Sequence, residues 1–269
     1  MHADHDRLVE ELRTWYTSSY PEMGYRVERQ PLGFYGRNVN VEHHQTNQVT
    51  VRDLRPVQIP EFLTDLRTYY HGGSAYIYVD DPMAEALIGP SLERAGCSRA
   101  GTEVYLAHVG PVPRISSVAG LAIEQVTTAN LLEYAVTKLK AFANSEAQPE
   151  PQKARDEVAL RAAEMAGEGR FLLGRLHAEP AAIIGWYEGM DRYIFILATR
   201  VPFRGRGIAK ALLCHALADG YAQGCRSVII NADPEDMPIQ LYRRLGFTDE
   251  VYWRRCYRFD PATAPTGGP

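Results

Sequence analysis

Three strand-like segments follow one another between residues 170 and 200, and they constrain the fold more than any other part of the chain. They are RFLLGRLH, PAAIIGWYE and DRYIFILATR, separated only by the dipeptides AE and GM. Connections this short cannot hold a crossover helix, so the pattern predicts an antiparallel meander. A helix-like segment, GIAKALLCHALADGYAQG, comes soon afterwards, and its apolar face is expected to pack on this sheet.

Composition and charge narrow the classes of function. The chain has 269 residues, of which 45% are hydrophobic and 23% charged, and this is typical of soluble globular protein of about two domains. The net charge of −4 argues against a nucleic-acid partner, since the chain has no overall basic field. No apolar run approaches the ~20 residues of a membrane span, and the N-terminus lacks a signal-peptide core. We therefore expect a cytoplasmic protein with no membrane partner.

The cysteines predict neither disulfides nor a metal site. No two of them form a CxxC pair, and structural zinc ligands usually come in such close pairs. They are expected to be reduced thiols, and the sequence predicts no metal. The four positions are Cys97, Cys214, Cys225 and Cys256.

A proline-containing stretch at 111–117, PVPRISS, is interpreted as a linker between two halves. The predicted domains are 1–112 and 118–260, followed by a disordered tail at 261–269. In the first half, residues 18–46 are interpreted as a polar, turn-rich region. The remaining predicted elements of that half are helices at 3–17, 59–70 and 82–96, the last interrupted near Gly89-Pro90, and strands at 47–54, 74–81 and 102–110.

The two halves share a short local pattern. SLERAGC at 91–97 and LYRRLGF at 241–247 are each typical of a helix end, a glycine cap and a following strand. This repetition favours two related lobes, of which the first lacks the loop described next.

The stretch RVPFRGRGIAKALL places Arg-Gly-Arg-Gly, residues 204–207, between a strand and a helix. One interpretation is that Gly205 and Gly207 only permit a tight turn. The other follows from the helix itself, whose first N–H groups lack intrahelical acceptors and lie at the positive end of its dipole. Glycines there let an anion approach the backbone closely, as in a pyrophosphate site.

Two common phosphate loops do not match this stretch. A Walker loop needs G-x-x-x-x-G-K-[ST], and a Rossmann fingerprint needs glycine where Lys210 stands. The pattern Arg204-x-x-Gly207-x-Ala209 instead resembles the Arg/Gln-x-x-Gly-x-Gly/Ala loop of the GNAT superfamily of acyl-CoA N-acyltransferases. The following segments RSVIINAD and PIQLYRRLGF are similar to the fifth strand and fourth helix of that family. The resemblance covers roughly residues 118–259.

The resemblance implies an α/β (α+β) class: a GNAT fold with a mixed, mostly antiparallel sheet flanked by helices, preceded by a smaller, degenerate GNAT-like lobe. It further implies that acetyl-CoA or another acyl-CoA is the co-substrate. The end of the fourth strand, which often splays from the fifth at a bulge, would pair with the pantetheine arm, and one of its amides would face the thioester oxygen. Tyr242 aligns with the tyrosine that protonates the departing thiolate in many members. The implied donor-binding residues are Leu197, Ala198, Thr199, Arg204, Gly205, Arg206, Gly207, Ile208 and Ala209, the last six through their backbone amides.

A general base is harder to identify. The strand 193–199 contains no carboxylate, whereas many GNAT members have one there. Glu188 is the predicted base, and Asp191, Asp233 and Glu235 are alternatives that could act through water. Glu235 also stands where the family often has a cofactor-contacting asparagine, and Asn231 is the predicted substitute.

These features predict an N-acyltransferase that moves an acyl group, most simply acetyl, from CoA to an amine of a small molecule by direct attack. A second hypothesis keeps the fold but takes the acyl group from the phosphopantetheine of a carrier protein, and a basic patch of Arg200, Arg204 and Arg206 would serve either donor. A third is a CoA-binding sensor or interaction module that has lost catalysis. The first lobe could close over the acceptor or form a homodimer.

Overall fold

A computed structural model describes residues 2–39, 46–114, 117–189 and 191–262, with side chains from residue 5 onward. The helices are α1 His2–Thr17, α2 Ile59–Tyr69, α3 Pro82–Arg94, α4 Leu131–Ala143, α5 Pro151–Ala166, α6 Ile208–Ala222 and α7 Pro238–Arg244. The strands are β1 Tyr25–Gln30, β2 Gly33–Asn38, β3 Gln48–Val51, β4 Ala75–Val79, β5 Ser98–His108, β6 Leu121–Gln125, β7 Gly169–Leu176, β8 Glu179–Tyr187, β9 Arg192–Thr199, β10 Val228–Ala232 and β11 Phe247–Phe259.

The chain divides into two compact units, each assembled from separate stretches. Unit 1 comprises Met1–Tyr105, Ala232–Asp236 and Glu250–Pro269, and unit 2 comprises Leu106–Asn231 and Met237–Asp249. Compactness therefore does not follow the order of the chain, and the predicted domains 1–112 and 118–260 stay a prediction.

In unit 1 the strands are ordered β1, β2, β3, β4, β11, β5. The first three form an antiparallel meander, β3 and β4 are parallel, and β4 and β11 are antiparallel. Residues of β3 and β4 pack with α2 and α3 in one buried cluster that includes Val49, Phe62, Ile77 and Ile88.

In unit 2 the strands are ordered β10, β9, β8, β7, β6. The strands β6 to β9 are antiparallel neighbours, and β9 and β10 are parallel. The meander predicted from residues 170–200 is therefore confirmed, as is a sheet flanked by helices.

Helices cover both faces of this sheet. Leu173 and Ile183 pack with Leu131 and Tyr134 of α4 in one buried cluster. Successive strand residues point to opposite faces, and Gly174 accordingly lies against Leu212 of α6. Because α5 packs on α4 and β7, α4 and α5 cover one face and α6 covers the other.

Two expectations about the first half are wrong. The region 18–46 contains the hairpin of β1 and β2, and α3 runs continuously through Gly89-Pro90. Glycine at 89 leaves room for a phenol, because a Cβ there would lie 2.3 Å from the Tyr257 hydroxyl oxygen. Parts of the predicted linker, 115–116, and tail, 263–269, lie outside the described residues.

Candidate active site

The register between β8 and β9 shifts by one residue in the middle of the meander. Gly185 pairs with Ile196, whereas Trp186 pairs with Ile194. Phe195 is therefore an extra residue on β9, which is a β-bulge. A Cβ at Gly185 would lie 2.8 Å from the Ile196 side chain and 2.6 Å from the Phe171 ring, so glycine allows the strands to meet at the bulge.

The pairing of β9 with β10 ends at the same point. In the part of the chain that the structure describes, the parallel register joins Arg192 through Ile194 to Val228 through Ile230. The strand β9 continues for five more residues, 195–199, beyond the last of these pairs. Within the described residues, the backbone of this second half of β9 therefore has no ladder partner on its β10 side.

The predicted donor-arm residues Leu197, Ala198 and Thr199 lie in this unpaired half, and all three are half-buried. Asn231 is also half-buried and follows the last paired residue of β10. These four residues thus lie beyond the last described pair of the β9–β10 ladder, and an extended ligand could pair with the backbone there.

The loop after β9 leads into α6 through two glycines in the left-handed region. Gly205 has φ +76° and Gly207 has φ +79°. A Cβ at Gly205 would meet no atom within 4 Å, and one at Gly207 would meet only Val118 Cγ2, at 3.7 Å. The loop 204–207 is exposed, so among the described residues the backbone at its two glycines is open to a ligand.

The amides of this loop are largely uncommitted. Among the described residues, no hydrogen-bond acceptor is found for the backbone N–H groups of residues 205–209. Arg204 differs from them, because its amide donates to the Val201 carbonyl at 3.3 Å. Five successive amides at a helix N-terminus suit an anion with several oxygens.

The Arg204 side chain braces the loop. Its Nε donates to the Thr199 carbonyl at 2.9 Å, and its Nη2 donates to the Ala141 carbonyl at 3.0 Å. The guanidinium therefore ties the end of β9 to the last turn of α4. It holds the loop in position rather than pointing at a ligand.

The predicted basic patch is smaller than expected. Arg200 donates to Glu146 and forms a second ion pair with Glu179 at 3.1 Å, and the hydrogen bond to Glu146 raises the pKa of Arg200. Arg204 keeps its positive charge, because its partners are neutral carbonyls, and the exposed Arg206 has its guanidinium 5.9 Å from the Phe203 ring.

Tyr242 lies in α7 and is buried, with 6% of its surface exposed. Its ring meets the Phe247 ring edge to face at 6.3 Å. This burial suits a phenol that is positioned for one contact, since a solvent-exposed ring would move between rotamers.

The carboxylate predicted as the base, Glu188, is engaged elsewhere. Glu188 Oε1 accepts hydrogen bonds from Trp186 Nε1 at 2.5 Å and from Arg192 Nη2 at 2.7 Å. Arg192 is fully buried and also pairs with Asp219 at 2.9 Å. Glu188 therefore belongs to a structural ion-pair group between the meander and α6, and these contacts speak against its predicted role.

Two of the three alternatives, Asp191 and Asp233, have partners as well. Asp191 pairs with Arg226 at 3.9 Å, and Asp233 accepts a hydrogen bond from the Glu235 amide at 2.9 Å. Asp233 and Glu235 belong to unit 1, whereas Asn231 and Tyr242 belong to unit 2.

Sequence reasoning missed a buried polar cluster on the α4 and α5 face of unit 2. We call it the buried ion cluster, and it consists of Lys138, Glu157, Arg161, Glu164 and the hydroxyl group of Tyr187. Glu157, Arg161 and Glu164 recur at i, i+4 and i+7, the spacing of one helix face. That spacing was the available signal, although it is equally typical of a solvated face.

The described part of the chain shows neither a metal site nor a membrane-spanning helix. No three His, Cys, Asp or Glu side chains there converge in a way that could hold a metal ion. No helix there has both the length and the apolar character needed to span a membrane.

Comparison with known proteins agrees with this geometry. Residues 134–247 match the model of the Acetyltransferase (GNAT) family. A GCN5-related N-acetyltransferase from Sphaerobacter thermophilus superposes with a TM-score of 0.60 at 15% identity, covering 90% of this chain and 84% of that one. A GCN5-related N-acetyltransferase from Kribbella flavida superposes with a TM-score of 0.58 at 17% identity, covering 91% of each chain.

A tandem GNAT protein from the clavulanic acid biosynthesis pathway gives a TM-score of 0.54 at 13% identity, covering 91% of this chain and 84% of that one. These likenesses extend over both units, and at such identities they concern the fold alone. They show that the chain has the GNAT fold, within which residues 134–247 match the model of the GNAT acetyltransferase family.

Proposed function

We propose that the chain transfers an acyl group, most simply acetyl, from CoA to an amine of a small molecule. The observation that carries this proposal is the unpaired half of β9, 195–199, leading directly into the five uncommitted amides of residues 205–209. An acyl-CoA is an extended arm attached to a diphosphate, so it matches both features in the order in which the chain presents them. Acetyl-CoA supplies the acyl group already activated as a thioester.

Under this proposal each part of the site has one task. The amides of 205–209 bind the diphosphate, and the backbone of Leu197, Ala198 and Thr199 pairs with the arm. Tyr242 donates a proton to the thiolate, as a phenol hydroxyl positioned beside the leaving group can do late in the reaction. Arg204 keeps the two binding segments at a fixed separation through the Thr199 and Ala141 carbonyls.

The engagement of Arg200 favours CoA over a carrier protein as donor. A carrier protein would dock mainly by charge, and the ion pairs of Arg200 with Glu146 and Glu179 reduce the positive charge around the loop. Backbone amides, by contrast, can bind a diphosphate without any arginine. A catalytically silent CoA-binding module is disfavoured because the loop and a buried Tyr242 occur together.

A thiol-release assay with acetyl-CoA and a panel of small amines tests the proposal. We expect CoA thiol to appear only when an amine is present, together with an N-acetylated product of the expected mass. Turnover only with an acyl-loaded carrier protein would establish the second donor instead. Tight binding of CoA by calorimetry with no turnover for any amine class would favour the silent module.

A further inference from the structure

The proposed reaction needs a group that takes a proton from the acceptor amine, and β9 itself supplies none. Its sequence RYIFILAT contains no carboxylate, and Glu188 is held by Arg192 and Trp186. A polar group that acts near the bulge at Phe195 must therefore come from a neighbouring element.

The buried ion cluster contains carboxylates on the face of the sheet where the Phe195 side chain lies. Lys138 Nζ lies 2.5 Å from Glu157 Oε2, and Arg161 Nε lies 2.8 Å from Glu157 Oε1. Arg161 Nη1 then lies 2.6 Å from Glu164 Oε2. All four side chains are nearly or fully buried, so the cluster is a chain of alternating charges that ends at Glu164.

Tyr187 connects this end of the cluster to the bulge. Its hydroxyl group donates to Glu164 Oε1 at 2.8 Å. Its ring stacks on the ring of Phe195 with centroids 4.4 Å apart and planes 18° from parallel. The guanidinium of Arg161 lies 5.6 Å from the same Phe195 ring. The polar cluster therefore packs directly against the residue that creates the bulge.

Stability of the fold does not by itself explain such a cluster. Apolar residues of similar volume often stabilise a protein as well as buried ion pairs do, and this face already has an apolar core around Phe171 and Ile183. Burial raises the pKa of Glu164, while Arg161 and the Tyr187 hydroxyl act in the opposite direction. A buried carboxyl with a perturbed pKa is a common feature of acid–base sites.

The groups that set the charge state of Glu164 come from three elements. They are Arg161 and Glu157 on α5, Lys138 and Tyr134 on α4, and Tyr187 on β8. Glu157 lies between the two cations, so it remains a counter-charge for Arg161 when Glu164 is protonated. The cluster can therefore change by one proton without leaving Arg161 unpaired.

We propose, on the basis of the function proposed above, that Tyr187 is a catalytic residue that receives the proton of the acceptor amine and passes its own proton to Glu164. The N–H bond of the ammonium group breaks and an O–H bond forms on Tyr187. The original phenolic proton moves along the existing hydrogen bond to Glu164 Oε1. Tyr187 remains neutral, Glu164 becomes a neutral acid, and the amine gains the lone pair needed for attack. Glu164 acts through Tyr187 and is a positioning residue.

The test compares Tyr187→Phe with Tyr193→Phe. Tyr193 is the cross-strand partner of Tyr187, with ring centroids 6.3 Å apart, and its substitution removes a neighbouring phenol from the same face. With acetyl-CoA and an alkylamine at pH 7, Tyr187→Phe is expected to lower kcat by about 10²-fold, the contribution of general base catalysis. The Kd for CoA should not change, and Tyr193→Phe should retain the wild-type rate.

Two further measurements separate a proton relay from a packing role. The deficit of Tyr187→Phe should shrink as the pH approaches the pKa of the alkylamine, and it should largely vanish for aniline, which is already neutral at pH 7. Glu164→Gln should show the same dependence on amine and pH, provided that its circular dichroism and thermal melt show a folded protein. If it does not fold, the amine series with Tyr187→Phe still decides the matter.

The results distinguish this inference from the proposed function. A wild-type protein that acetylates no amine overturns both. A wild-type protein that is active, together with a Tyr187→Phe variant that is equally active, overturns the relay alone. A deficit that is the same for aniline and for alkylamines at every pH also overturns it, because lost packing would not depend on the protonation of the acceptor.

Discussion

Replacing Gly205 or Gly207 by alanine separates the cost of backbone strain from the cost to donor binding. Both glycines have φ in the left-handed region, +76° and +79°, where an L-residue costs about 1–2 kcal/mol. Neither substitution creates a clash, because the added methyl group meets nothing closer than Val118 Cγ2 at 3.7 Å. The expected loss of folding stability is therefore strain alone, and it corresponds to a fall in Tm of roughly 2–8 °C.

The loss of donor affinity should be larger than this strain would suggest. A methyl group on the loop prevents close approach to the amides, and a hydrogen bond to a charged group contributes about 1.5–3 kcal/mol. Losing one such bond would raise the Kd for CoA roughly 10- to 100-fold. Isothermal titration calorimetry with CoA gives the Kd, and differential scanning fluorimetry gives the Tm.

Gly224→Ala is the matched control. Gly224 has φ +87°, a Cβ at this position would meet no atom within 4 Å, and the residue follows the opposite end of α6. The variant should lose the same stability and retain the wild-type Kd for CoA. A Kd that is unchanged in both loop variants, or weakened equally in Gly224→Ala, would refute the assignment of the loop as the diphosphate site.

Three other outcomes are expected. Tyr242→Phe should lower kcat by about 10²-fold with little change in the Kd for CoA, and an unchanged kcat in steady-state assays would assign the proton donor elsewhere. Glu188→Gln should stay active, because the amide oxygen can still accept from Arg192, and a loss above about 10²-fold would restore Glu188 as the base. Arg200 lowers the pKa of Glu146, so this ion pair stabilises the fold above the unfolded carboxyl pKa of about 4.3. That stability is lost as the pH falls through the pKa of Glu146 in the folded protein. In urea unfolding, the free energy of unfolding of Glu146→Gln should equal that of the wild type at low pH. At pH 7 it should be lower by less than about 1 kcal/mol.

Local patterns explain what the sequence could predict. The meander, the glycine loop and α6 follow from periodicity and turn chemistry within short windows. The first hairpin is not evident in such a window because β1, YRVERQ, is mostly polar and none of its residues is fully buried. An edge strand of this kind has no apolar face to reveal it.

The details of the candidate site cannot be predicted from short sequence segments, because they depend on contacts between residues that are distant in the chain. Whether the Arg204 side chain reaches a ligand or a protein carbonyl depends on the position of the last turn of α4. The carbonyl that it contacts belongs to Ala141, 63 residues earlier in the chain. Glu188 is a candidate base by its place in a turn, and its pairing with Arg192 is not visible from spacing. The position of the bulge likewise depends on which residue of β8 opposes Phe195, and that is a property of two strands together.

The parallel pair β3–β4 in unit 1 and the parallel pair β9–β10 in unit 2 differ in one feature, and that feature marks the candidate active site. In unit 1, β3 pairs with β4 along its whole length, from Gln48 with Tyr76 to Val51 with Val79. The next residue, Arg52, then forms an ion pair with Asp80 at 3.3 Å, just past the end of both strands. In unit 2 the corresponding pairing stops where Phe195 adds one residue to β9. An unpaired backbone costs free energy unless a ligand or water satisfies it, so it persists only where it is useful. The acyl transfer that we propose for unit 2 therefore depends less on the order of its strands than on one extra residue in β9.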